Sequence, residues 1–202
     1  MPLSCEMESS TLKSGFRVYG ENRRRNNLMS IRNGIVMTAC MVFLGAATTH
    51  ILYRSHGLAV GIQIMATLAI AITGEHYVSG QGYYQYTPTN GIFIGRVPVW
   101  IPFMWLVIIQ SAYLIASSFG MSGMTGALSA GIIGMLCDMI FIEPVLCRMG
   151  GLWEWKSVPN GYFSFVPATL NRLIAPFGNY FVWFLFPFLM GSLLEASHLI
   201  AF

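Results

Sequence analysis

Five apolar runs, each near the length of a bilayer crossing, leave this chain few folds to choose from. They cover about 34–53, 57–73, 97–118, 122–142 and 177–197, and a helix needs roughly 20 such residues to cross hydrocarbon. Charged residues make up only 9% of the chain and hydrophobic ones 55%, against about 25% charged in globular domains. Within each run the apolar residues continue instead of alternating, which favours helices over strands. The second run is the shortest and the fourth carries Asp138. The expected fold class is all-α: a polytopic, multi-pass membrane bundle of about five transmembrane helices. A polar basic N-terminal tail, 1–33, would precede a single membrane helical domain, 34–202.

The basic residues set an orientation. Lys13, Arg17, Arg23, Arg24, Arg25 and Arg32 precede the first run, so the positive-inside rule makes the N-terminus cytoplasmic. Alternation then returns Arg96, Arg148, Lys156 and Arg172 to the cytoplasmic side and leaves Arg54 outside. The stretch 143–175, broken by prolines, glycines and charges, is expected as a loop with interfacial pieces and no sixth helix. The net charge of +3 is thus a topology signal, and no nucleic-acid motif accompanies it. The long apolar run after the arginines is expected to be a retained helix, since a signal peptide has a shorter basic region and a small-residue cleavage site. Cys5, Cys40, Cys137 and Cys147 have no paired spacing, so neither a disulfide framework nor a zinc site is expected.

Two half-sites of one pattern hang from the ends of apolar runs. The first reads Thr73-Gly74-Glu75-His76, then Gly82-Tyr83-Tyr84-Gln85-Tyr86, then Val97-Pro98. The second reads Asp138, Glu143-Pro144, then Gly151-Leu152-Trp153-Glu154-Trp155, then Val166-Pro167. Carboxylates near hydrocarbon are expensive and generally functional, and aromatic faces stabilise positive charge. A carboxyl in apolar surroundings keeps its proton near neutral pH and can act as a general acid. Asp138 is the deeper acid and the expected proton-handling group. Asp138 and Glu143 stand five apart, so on a continuous α-helix they diverge by roughly 140° and need not face the bundle together.

These residues resemble a family. Glu75, Gly82-Tyr83-Tyr84-Gln85-Tyr86-Thr87, Gly95-Arg96-Val97-Pro98, Ile101-Pro102 and Trp105 look like the first signature of the integral-membrane carotenoid biosynthesis proteins. That group includes the bisanhydrobacterioruberin hydratase and γ-carotene hydratase type. Asp138, Glu143-Pro144, Trp153-Glu154-Trp155 and the run from Pro176 through Asn179 to Trp183 look like the second. The likeness covers roughly 70–187 and marks a short, divergent member. Glu143 stands where an Asp is expected, and 156–175 is expanded.

The resemblance implies that a terminal trisubstituted alkene of a lipophilic isoprenoid is protonated and the cation captured by water. It implies Asp138 as proton donor, Glu75 as water-positioning base or second acid, and Glu143 as a further catalytic acid. Tyr83, Tyr84, Tyr86, Trp105, Trp153, Trp155 and Trp183 would bind substrate and stabilise the cation, with Asn179 orienting an acid or the water. No metal and no redox cofactor is expected. The same equipment suits a small membrane terpene cyclase, in which an internal alkene captures the cation.

Blander readings stand beside these. Glu75-His76 can be an interfacial polar pair, Asp138 a structural hydrogen-bonding residue, and each ring a membrane-interface anchor. Arg96 or Arg148 can simply neutralise Glu75 or Glu143. Glu195-x-x-His198 has the spacing of a di-iron helix, but it occurs once and at the other end of its run. A non-catalytic subunit or assembly factor is the third class. Gly120, Gly123 and Gly126, with Gly131 and Gly134, permit close helix contacts, internal or within a homo-oligomer or membrane complex.

Overall fold

The computed structural model describes residues 5–156 and 175–200, with side chains between 30 and 156 and between 175 and 197. The helices are α1 (Cys5–His56), α2 (Leu58–Gly80), α3 (Trp100–Ser118), α4 (Gly123–Cys137) and α5 (Phe177–Ile200). A π-helical segment, Asp138–Met149, continues α4 without a break. Five stretches are long and apolar enough to span a membrane: Ser30–His56, Leu58–Gly80, Trp100–Ser118, Gly123–Met149 and Phe177–Ser197. The expected all-α polytopic bundle is therefore what the chain forms. The second and fourth spans run further than the apolar runs suggested, taking Glu75 and Glu143 into the helices. The helix of the first span begins at Cys5, inside the expected tail. No proline falls between Pro2 and Pro88, so no ring interrupts α1 or α2, and the break between them falls at Gly57, at φ 54°.

Helix α3 is central, packed by α1, α2, α4 and α5. The closest pairing is α4 on α5. A Cβ at Gly131 would meet the Phe184 carbonyl at 2.8 Å, and one at Gly134 would meet Pro187 at 2.5 Å. Small residues let the two backbones approach, the usual device where helices pack in lipid. Gly131 and Gly134 thus serve contacts within this chain. Large apolar side chains such as Phe43, Leu58, Met65 and Ile140 face outward, as expected against lipid.

A neutral polar network crosses the middle of the bundle. Thr48 and Thr49 donate to Gln110 Oε1 at 2.6 and 3.1 Å, and Gln110 Nε2 donates to Gln63 Oε1 at 3.1 Å. Both glutamines are fully buried.

Four short strands gather at one end: β1 (Tyr84–Tyr86), β2 (Phe93–Ile94), β3 (Val97–Pro98) and β4 (Trp153–Trp155). β2 pairs with β3 as a hairpin, and β1 pairs antiparallel with β4. Between β1 and β2, the turn Pro88–Asn90 is clamped onto α1. Ser30 Oγ donates to the Pro88 carbonyl. Gly91, at φ 79°, lies against Gly34, leaving no room for a side chain on either. Buried Asn90 ties the layer together: its Nδ2 donates to the Thr87 carbonyl at 2.9 Å and to that of Leu152, and its Oδ1 accepts from Trp100 Nε1 at 3.1 Å.

Candidate active site

The β1–β4 ladder joins the two half-sites. Its register sets Tyr84 against Trp155, Gln85 against Glu154, and Tyr86 against Trp153. Alternate residues of a strand face opposite ways, so the four rings turn toward the bundle while Gln85 and Glu154 are exposed. Tyr84 meets Trp155 edge-on at 4.9 Å and Tyr86 meets Trp153 at 6.1 Å. Beneath them Trp105 of α3 lies 4.9 Å from Trp183 of α5.

The π segment changes the expectation for the second half-site. Bonding from i to i+5 brings residues five apart onto one face, and such turns recur at functional sites. Asp138 and Glu143 accordingly both point inward, 0% and 2% exposed. The divergence expected of a regular helix does not occur. Pro144 lies inside the segment, where its missing N–H and the clash of its ring with the carbonyl four residues back disfavour an α-helix.

All three acids converge. Glu75 Oε2 accepts from Tyr86 Oη at 2.8 Å and from Tyr84 Oη, while its Oε1 accepts from Trp105 Nε1 at 3.0 Å. Glu143 Oε2 accepts from Trp155 Nε1 at 2.9 Å. Asn179 Nδ2 lies 2.6 Å from Asp138 Oδ2 and 3.5 Å from Glu143 Oε1. The other oxygen of Asp138, Oδ1, is buried without a hydrogen-bond partner among the described residues. The partners the described residues give these acids are neutral, and Arg96 and Arg148 are exposed. On β1, burial first and the adjacent Glu75 second push the Tyr86 phenol well above its ordinary pKa. That hydroxyl keeps its proton and remains a donor.

Two cavities meet at these acids. The inner one, of about 30 Å³, touches Glu75, Asp138, Glu143, Asn179, Tyr86 and Trp183 among others. It has room for roughly one or two waters. The outer one, of about 280 Å³, lies between α2 and α5 and is walled by Ile70, Val78, Tyr83, Trp105, Val182 and Phe186. Glu75, Tyr84, Trp155 and Asn179 border both. Tyr83 borders only the outer cavity of these two, and Asp138 and Glu143 only the inner.

Val166, Pro167 and Arg172 lie outside the described residues, and every catalytic or substrate-binding residue expected from the sequence lies at this end of the bundle. Glu195 does not: at the far end it accepts from Tyr113 Oη at 2.7 Å, and the side chain of His198 lies outside the described residues. Phe186 and Val182 were missed, although Asn179, Val182, Trp183 and Phe186 have the 3-and-4 spacing of one helix face. Asn90 carried no signal beyond a turn.

Fold and site define a multi-pass membrane protein with a buried, acid-rich and aromatic-walled chamber at one end of its helices. The family model described as carotenoid biosynthesis protein matches residues 31–198, and the chain belongs to that family. Its role therefore lies in carotenoid metabolism. No curated protein and no solved structure matches the chain.

Proposed function

We propose that the protein hydrates a terminal trisubstituted alkene of an isoprenoid or carotenoid chain by acid catalysis. The observation that carries the reading is that Glu75 and Asn179 border an apolar cavity and a water-sized acidic one at once. The apolar cavity suits a hydrocarbon end group entering from lipid, and the inner cavity suits the water that reacts with it.

Donor count divides the labour. Glu75 accepts three hydrogen bonds, the surroundings of a carboxylate. Among the described residues Asp138 accepts one and has a partnerless oxygen, the surroundings of a carboxyl that holds its own proton. Asp138 O–H gives its proton to the inner water as that water gives one to the less substituted alkene carbon. The π pair becomes the new C–H bond and a tertiary cation forms. Glu75 and the faces of Tyr84, Trp105 and Trp155 stabilise it. The water's lone pair then forms the C–O bond, its released proton passes to Glu75, and the carboxyl cluster returns a proton to Asp138. The net change is addition of one water, with no oxidant or reductant consumed.

Expression in a host that accumulates an acyclic carotenoid tests this. The expected product is heavier by one water. An isomer of unchanged mass would instead establish cyclisation, with an internal alkene in the place of water. Unchanged carotenoid with any polyene or prenyl substrate would overturn both. Of the described cations, Arg32, Arg96, Arg148 and Lys156 share the site's end of the bundle and Arg54 stands at the other, so we place the site's end at the cytoplasmic face. A cysteine introduced at Gln85 and labelled only from outside would reverse the orientation.

A further inference from the structure

We infer that a third cavity, on the outer side of β1, binds the phosphate group of an amphiphile. It measures about 390 Å³, and its described lining includes Ser79, Gln85, Arg96 and Lys156 and no carboxylate. The two cations come from different parts of the chain and are held by backbone on opposite sides. Lys156 extends the β1–β4 ladder, its N–H donating to the Tyr83 carbonyl at 2.9 Å. Arg96 follows Gly95, at φ 62°, in the tight turn between β2 and β3, and its guanidinium reaches over Gly80 at the end of α2. His76 packs against Gly95, in the turn that carries Arg96. The nearest acid in sequence, Glu154, sits opposite Gln85 in the ladder but does not border the cavity.

The setting selects the ligand. The cavity lies where the spans end and the strands begin, the depth of a headgroup. Arg and Lys there favour phosphate oxygens, Arg through its planar fork. Arg148 shares this end of the bundle and is also exposed, yet it borders none of the three cavities. Orientation by positive charge alone would not set the other two on one cavity. Tyr84 is a common wall of all three cavities, so the phosphate would stand one ring away from the acid cluster. The same chemistry is offered by an anionic lipid headgroup and by the diphosphate of a prenyl ester.

Native mass spectrometry of the detergent-solubilised protein, titrated with phosphatidylglycerol, phosphatidylcholine or inorganic pyrophosphate, tests the site without relying on turnover. One saturable phosphatidylglycerol, retained in preference to phosphatidylcholine, is expected if the source is lipid. Saturable pyrophosphate with equal retention of the two lipids would assign the site to a diphosphate ester. In either case Arg96→Gln/Lys156→Gln should weaken binding at least about tenfold, while Arg148→Gln leaves it unchanged. Equal retention of both lipids with no pyrophosphate bound would overturn the inference. So would an equal loss in Arg148→Gln, which would reduce the effect to general surface charge.

Discussion

Two buried polar clusters share this bundle and differ in nearly every respect that matters for chemistry. The middle one, Thr48, Thr49, Gln63 and Gln110, is neutral, and its amides and hydroxyls satisfy one another. None of its residues borders the cavities described above. The end cluster gathers Glu75, Asp138 and Glu143, has an oxygen without a partner among the described residues, and opens on two cavities. A paired amide network holds helices together at modest gain, because the separated helices also find partners in lipid. Three acids gathered among neutral partners add little as glue and are kept at a cost. The contrast separates a fastening from a candidate site.

The comparison can be broken most sharply at Asp138. Asp138→Asn preserves shape and polarity but cannot donate the acidic proton. Product formation should fall by about 10²–10⁴-fold, the usual worth of general acid catalysis, with the thermal midpoint little changed. Near-wild-type product would falsify the acid assignment and return Asp138 to a structural role. Next in size are the rings. Trp155→Ala or Tyr84→Ala should slow turnover roughly thirtyfold, since a desolvated cation–π contact is worth about 2 kcal/mol. A loss of stability with no change in rate per folded molecule would make these rings interface anchors.

The middle cluster should respond in the opposite sense. Gln110→Leu should lower unfolding stability by about 1–2 kcal/mol, while turnover per folded molecule stays near wild type. Reduced turnover at unchanged stability would erase the distinction between the clusters. The smallest expected effect is none: EDTA should leave product formation unaltered, because protonating an alkene uses no metal. Inactivation by the chelator would sink the metal-free mechanism.

One side of this contrast, the acids and rings of the end cluster, was legible in the sequence, and the illegible part has definite causes. The spans follow from run length and composition, and the paired acid-and-ring half-sites follow from motif order. How the halves meet does not. Three residue pairs between Tyr84–Tyr86 and Trp153–Trp155 make the join, and two strands this short carry almost no periodic signal beside long helices. The alternation Tyr84-Gln85-Tyr86 against Trp153-Glu154-Trp155 was present, but pairing across nearly seventy residues is a property of the packed bundle. The inward turn of Glu143 was equally hidden, because spacing read on an α-helical wheel assumes the hydrogen-bonding pattern that Pro144 disfavours. The middle network escaped notice because lone glutamines and threonines in apolar runs look incidental until helices are packed.

The π segment makes the site depend on counting as well as on chemistry. Each of its turns holds more residues than a turn of the α4 helix leading into it. The angular phase at which Glu143 arrives is therefore set by chain length as much as by residue identity. Restoring α-helical winding between Asp138 and Glu143, at their present spacing of five, would rotate the second acid away from Asn179 with every named side chain still present. Two homologues could carry the same acids and rings in the same order and differ in whether those groups ever meet.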